Sequence, residues 1–436
     1  MSRQIGFWPV FALVTGSQIG TGVFMLPTSL APFGVLTLLG WGISGLGAVM
    51  LALVFSKLCS QYPQTGGPHV YVEKAFGASA SLFTGWTYWV ISWVSSTAVI
   101  SASVSYMTPL IGEHSQLVHF ALEISLLLVI TIINLRGVKT AGTAEFFLTM
   151  FKIIPLALVP FCALFFFDTK NFAPITANSA AQIAPMISHV VLITLWGFIG
   201  LESATTPAGM IENPTKTIPR AVILGTLFVA TLYFFNSFSM MGALPAQKLM
   251  ASTAPYADVT QQIWGGNWHL GISLIAAIVC IGTLNAWVLS SGQIALGVAQ
   301  DGLMPAFFAK RNRHGAPVNA ILVSSVGIVP ILFLTLDEHL AKQINMIIDF
   351  SVTAFVFVYL LCCLSFLKLL YQQKLNALKR EWIYGLTALS FCGWVIASTP
   401  LKTLLIAGLF VASGIPIYWL QRRKRMVFTM KEIPVA

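Results

Sequence analysis

The chain has 436 residues, 57% hydrophobic and only 9% charged, whereas a soluble domain carries about 25% charged and 45–50% apolar residues. Its 24 Lys and Arg and 14 Asp and Glu are too few to clothe a soluble protein of this length. The 31 Phe and 12 Trp exclude a disordered chain, and the 34 scattered Gly exclude a collagen. What remains is a chain whose solvent is mostly lipid. In such a chain the formal charge of +10 reports loop topology before it reports nucleic acid.

A spanning helix needs about 20 mostly apolar residues. In chain order the sequence predicts twelve: 7–32, 35–60, 80–107, 117–134, 143–167, 183–211, 220–243, 269–300, 317–336, 343–367, 383–399 and 402–420. The first runs past Gly20 and Gly22 to Pro27 and Pro32 with no cleavage site, so it reads as a span and not as a signal peptide. The longest connection is 244–268, and no segment reads as a soluble domain. With the N-terminus inside, 19 Lys and Arg fall on the inner side and four (Lys170, Lys248, Lys342, Lys402) on the outer, with Lys152 inside the fifth span. That asymmetry supports both the span count and a topology with both termini cytoplasmic.

Two spans are interrupted. The first contains Thr15-Gly16-Ser17-Gln18-Ile19-Gly20-Thr21-Gly22, and the sixth Trp196-Gly197-Phe198-Ile199-Gly200-Leu201-Glu202-Ser203. Freed backbone groups survive at membrane depth only where protein or a watery cavity covers them. Paired interruptions in two five-span blocks point to a transporter's binding site: N–H groups at one half-helix end suit a carboxylate, and carbonyls at the other suit an ammonium. Gly40, Gly42, Gly45 and Gly47 in the second span read instead as helix packing. The six Cys lie in apolar stretches without a CxxC pair and read as small core residues, with neither a disulfide framework nor a zinc site expected.

Gly20-Thr21-Gly22-Val-Phe-Met-Leu-Pro27, Gly66-Gly67-Pro68-His69-Val-Tyr71, Trp196-x-Phe-Ile-Gly-Leu-Glu202-Ser203 and Gln300-Asp301-Gly302-Leu-Met-Pro305 together resemble the amino acid–polyamine–organocation (APC) superfamily. Within it they are most similar to the bacterial basic amino acid/polyamine antiporters, the arginine–agmatine exchangers in particular. The resemblance implies an all-α polytopic transporter: one domain over 1–436, inverted repeats about 7–167 and 183–367 with broken helices 1 and 6, and additional helices over 383–420. It implies that the substrate carboxylate meets Gly20, Thr21 and Gly22, and that its amino group meets carbonyls around Trp196, Gly197 and Ile199. It further implies that Trp196 covers the substrate from outside and Trp287 packs on its stem, and that Ser351 reaches its distal end. Tyr88, Trp196, Glu202 and Tyr359 are implied as gating residues, with Glu202 responsive to pH; an ionisable residue inside a span is a functional hypothesis by default.

Departures leave the substrate open. Ser17 stands where the arginine–agmatine exchangers carry Asn, Ile91-Ser92 and Ser96 replace their Ala-Cys and Asn contacts, and His69 replaces a usual Tyr. Arginine, lysine, ornithine or a neutral amino acid each fits. Asp349 either adds negative charge to the pocket or sits at the interface. Glu123 and Glu145 are expected near opposite membrane faces. Lys152 either snorkels to the inner interface or serves transport. The expected function is exchange of a basic amino acid for its decarboxylated amine in a bacterial inner membrane. The alternative is a proton-coupled symporter or uniporter of neutral amino acids. A membrane enzyme or channel is disfavoured: neither HExxH nor paired carboxylates occur, the seven His are scattered, and no Walker motif is present. No cofactor or metal is expected. The partners are small amino acids and amines and the lipid bilayer, without nucleic acid, and a homodimer is compatible with the sequence.

Overall fold

The computed structural model describes residues 5–112, 115–175, 179–252, 254–334, 340–373 and 378–420, with only the backbone of Thr21, Val138, Ala180 and 340–346. Arg3, Lys374 and the basic segment Arg422–Arg425 lie outside these residues, as does the Lys342 side chain. Seventeen α-helices are described: α1 (Phe7–Gln18), α2 (Thr21–Leu30), α3 (Leu36–Gln61), α4 (Pro68–Phe76), α5 (Ala78–Val94), α6 (Ser96–Ile111), α7 (Gln116–Leu135), α8 (Val138–Ala163), α9 (Ala180–Leu195), α10 (Pro214–Ala243), α11 (Ala246–Ala251), α12 (Pro255–Trp264), α13 (Trp268–Gln300), α14 (Val318–Leu334), α15 (Leu340–Tyr371), α16 (Lys379–Ser398) and α17 (Leu401–Ala412). Among the described residues, ten helical segments are long and apolar enough to cross a bilayer. The 17-residue α14 is a shorter apolar helix, and α16, which carries Lys379, Arg380 and Glu381 in its first turn, covers the eleventh span expected from the sequence; the protein is all-α and polytopic. The 244–268 connection contains two helices, α11 and α12.

Burial is arranged for a lipid solvent. On α8 the exposed residues Phe147, Phe151, Ile154, Leu158 and Phe161 recur at helical spacing and form an apolar outer stripe, which Phe165 extends in the turn that follows. Polar and charged side chains, Glu123, Glu145, Lys152 and Glu202 among them, lie inside. Glu123 and Glu145, expected near opposite membrane faces, are both buried within the protein, where each finds internal donors. Ser101 donates to Glu123 at 2.6 Å, and Lys152 and Asn285 reach Glu145. Lys152 does not snorkel; its ammonium is fully buried for the same reason.

The glycines of α3 divide: Gly40, Gly45 and Gly47 serve packing, as their spacing suggested, and Gly42 does not. A methyl on Gly40 would overlap Val190 and one on Gly47 would overlap Phe391, whereas Gly42 faces open space. Of the six Cys, five are buried and Cys162 is partly so. Around the centre, α13 packs against α5, α6 and α8, while α3 packs against α9 and α10; α1 touches α8, α10 and α13. This placement puts the interruption of the first span between the two groups of helices.

Candidate functional site

The first span is two helices. α1 ends at Gln18, Ile19 is extended (ψ 93°), and α2 starts after Gly20 (φ −146°, ψ −135°). A side chain at Gly20 would run into Thr283, which sits on α13. Such a break strands carbonyls at the end of α1 and N–H groups at the start of α2. The carbonyls are satisfied by side chains from other helices. Thr283 donates to Ile19 at 2.8 Å, Tyr233 to Gln18 at 2.6 Å and Lys152 to Gly16 at 2.7 Å. The first amides of α2 are those of Thr21 and Gly22; the Thr21 side chain lies outside the described residues.

The sixth span stops being α-helical at Leu195. From Trp196 it continues as successive tight turns, with bonds from Ile199 to Trp196, Leu201 to Phe198, Ser203 to Gly200 and Thr205 to Glu202 at 2.8–3.3 Å. Gly200 has φ +104°, a conformation that side chains other than glycine's adopt only with strain. The two interruptions face each other in opposite chain directions. Ser17 Oγ donates to the Gly200 carbonyl at 2.9 Å and lies 2.8 Å from Ser203 Oγ, while Ser203 reaches back to Leu13 O. A methyl on Gly22 would lie 3.2 Å from Trp196 and 3.4 Å from Gly197. Ile5 exchanges backbone bonds with Met210 and Glu212.

Beside this junction, Glu202 is fully buried. Tyr88 of α5 donates to Oε1 at 2.8 Å and Tyr359 of α15 donates to Oε2 at 2.5 Å. The Gly200 N–H lies 3.4 Å from the Tyr359 oxygen, which ties the carboxyl cluster to the break itself. Phe355 links the cluster to the expected substrate wall, with ring centroids 5.9 Å from Tyr88 and 5.2 Å from Trp287. Trp196 and Trp287 are both buried, as are Ile199 and Gly197.

The other residues singled out in the sequence divide into two groups. Ser351 is buried with its hydroxyl unpartnered among the described residues, and so is Oε1 of Gln18. By contrast Ser17, Ser92 and Ser96 already spend their hydroxyls within the protein: Ser92 on Trp89 O at 2.6 Å and Ser96 on Ser92 O at 2.9 Å. His69 is buried and lies 2.9 Å from Asp301, joining the Gly-Gly-Pro loop to the end of α13. Asp349 is partly buried, and its carbonyl accepts from Thr353. The sequence reading missed the cluster of Glu145, Thr149, Lys152, Thr283 and Asn285 behind α1. Its signal was available as polar residues within apolar spans.

A many-spanning α-helical chain with two facing helix interruptions at a buried polar centre is a membrane transporter. The sequence matches the amino acid permease family over residues 5–420, and the chain belongs to that family. It is 28% identical to a Bacillus subtilis protein provisionally named an arginine/ornithine antiporter, over 96% of this chain and 97% of that protein. It is 29% identical to the putrescine transporter PotE of Haemophilus influenzae, over 83% of each chain. It is also 28% identical to the cadaverine/lysine antiporter of Escherichia coli K12, over 76% of this chain and 75% of that one.

Proposed function

We propose that this protein is a secondary antiporter that exchanges a basic amino acid (arginine, lysine or ornithine) for its decarboxylated amine. One observation carries the reading: the two facing, mutually stapled helix breaks adjoin Glu202, which two tyrosines from other spans hold. The relatives support it, because each is named for a basic amino acid, a diamine or both.

In this reading the amides opening α2, at Gly20, Thr21 and Gly22, take the substrate carboxylate. Carbonyls near Trp196, Gly197 and Ile199 take its α-ammonium. Trp196 and Trp287 flank the stem and distal cation, and Ser351 and Gln18 offer unpartnered oxygens. Ser17, Ser92 and Ser96 shape the pocket unless a substrate displaces their present bonds. Glu202, Tyr88 and Tyr359 close the inner side. Reorientation occurs around this fixed site, with 7–167 and 183–367 as inverted repeats and 383–420 as additional helices. The opposed chain directions of the two breaks are what such a symmetry requires. The protein sits in a bacterial inner membrane with both termini cytoplasmic, as a monomer or homodimer, and performs no covalent step.

The test is uptake of labelled arginine, lysine and ornithine into proteoliposomes that are empty or loaded with agmatine, cadaverine or putrescine. At least one cation is expected to enter only when an amine is inside. Uptake driven by a proton gradient into empty vesicles would instead establish the symport alternative. Within the same assay, Trp287→Ala is expected to raise KM for the cation about 2- to 30-fold, since a cation over an indole gains about 0.5–2 kcal/mol. An unchanged KM removes Trp287 from the site.

A further inference from the structure

Behind the break in α1 lies a charged cluster that the proposed binding roles do not use. Lys152 and Glu145 are both completely buried, with Nζ 3.2 Å from Oε1. They stand seven residues apart on α8, which places them two turns apart on one helix face. The ammonium also donates to the Gly16 carbonyl at 2.7 Å and to Thr283 of α13 at 3.1 Å. Both oxygens of the carboxylate are in use. Oε1 accepts from Thr149 at 3.1 Å and Oε2 from Asn285 at 3.1 Å. Asn285 in turn accepts from Asn134 of α7 at 3.0 Å. Two glycines make the room: a methyl on Gly16 would overlap the Glu145 carboxylate, and one on Gly282 would come 2.8 Å from the Lys152 stem.

We propose that Glu145 is a positioning residue for transport: its carboxylate keeps the Lys152 ammonium charged and seated on the Gly16 carbonyl, fixing the α1 side of the break. The chemistry favours this over a passive filler. A lone ammonium inside apolar protein is costly, and removing one partner of a buried pair is far more damaging than removing both. Carboxylate and ammonium therefore act as one unit, and that unit touches α1 at its last helical turn. The titratable groups around it are few. α13 carries the buried Cys280 and, at its start, His269. α1 contains no titratable side chain. α10 carries Lys216 and Arg220 near its start and Tyr233, whose hydroxyl is spent on Gln18 O. Of the other helices packed on α8, α12 carries Asp258 and Tyr256, and α7 carries His119 and Glu123.

The inference rests on the reading of the α1–α2 break as the transport site. The experiment is a double-variant cycle, Glu145→Gln, Lys152→Met and both together, read by exchange in proteoliposomes and by thermal unfolding in detergent without substrate. Each single variant is expected to slow exchange by about tenfold or more and to lower the melting temperature. The pair is expected to recover the melting temperature while exchange stays no slower than in the worse single variant. Glu145→Gln is also expected to acquire a pH dependence of exchange that the double variant lacks. A double variant whose losses multiply, or a Glu145→Gln protein within twofold of the unsubstituted one at every pH, overturns the proposal. If Glu145→Gln does not fold, the double variant decides: recovered folding with slow exchange supports the coupling, and failure to fold overturns it. If the unsubstituted protein exchanges none of the cations, the functional reading fails while the melting temperatures still test the pair.

Discussion

Glu202→Gln is expected to slow exchange by about tenfold or more and to flatten its dependence on pH across the acid to neutral range. The carboxylate accepts one phenol on each oxygen, Tyr88 at 2.8 Å and Tyr359 at 2.5 Å. A carboxamide offers one acceptor oxygen and presents its NH2 to the other phenol. One buried hydroxyl then loses its acceptor. A hydrogen bond to a charged group is worth about 1.5–3 kcal/mol, and about 1.4 kcal/mol is a factor of ten in rate. Because Tyr359 also meets the Gly200 N–H, the disturbance passes directly into the sixth-span break. Tyr359→Phe is expected to fall between Glu202→Gln and the unsubstituted protein, since it leaves the carboxylate and removes one donor. A Glu202→Gln protein with unchanged rate and pH profile would falsify the gate.

Gly200→Ala is expected to abolish most transport and to lower the melting temperature. The residue has φ +104°, and a strained backbone of this kind costs about 1–3 kcal/mol. The added methyl would also stand 2.8 Å from Ser17 Oγ, so it displaces the hydroxyl that staples the two breaks. Gly42→Ala is the control, because Gly42 faces open space in a regular helix, where alanine is the better helix former. Thermal unfolding of the purified variants, alongside uptake, separates lost folding from lost transport. Equal behaviour of Gly200→Ala and Gly42→Ala would mean that the junction is not under the constraint described.

Much of this was legible in the sequence for identifiable reasons. The breaks stood out because Gly, Ser, Thr and Gln concentrate where lipid requires an unbroken apolar helix, and Glu202 stood out as an acid at the same depth. The spacing of the α3 glycines pointed to packing, which holds at Gly40, Gly45 and Gly47 but not at Gly42. Other features depend on three-dimensional contact. The third span divides at Ser95 into α5 and α6 without a Gly or Pro to mark it. Ser17, Ser92 and Ser96 are polar residues in the right spans, but a short hydroxyl readily bonds a nearby carbonyl, and the sequence does not reveal that they do so. Glu123 and Glu145 were expected at the membrane faces because a span's ends are the cheapest place for a carboxylate. Their burial depends on Ser101, Asn285 and Lys152, whose approach is set by helix packing. The i, i+7 spacing of Glu145 and Lys152 was visible, but a facing glycine at 16 gives it meaning only once α1 is placed against α8.

The central claim is obligatory exchange of a cationic amino acid for an amine of higher charge through one site. Carrying a singly charged amino acid in and a doubly charged amine out moves one net positive charge outward. The decisive measurement is labelled arginine or lysine uptake into amine-loaded proteoliposomes while the membrane potential is clamped. The account predicts no uptake without internal amine, and faster uptake when the interior is held positive. Uptake that proceeds equally into empty vesicles, whatever the potential, contradicts it.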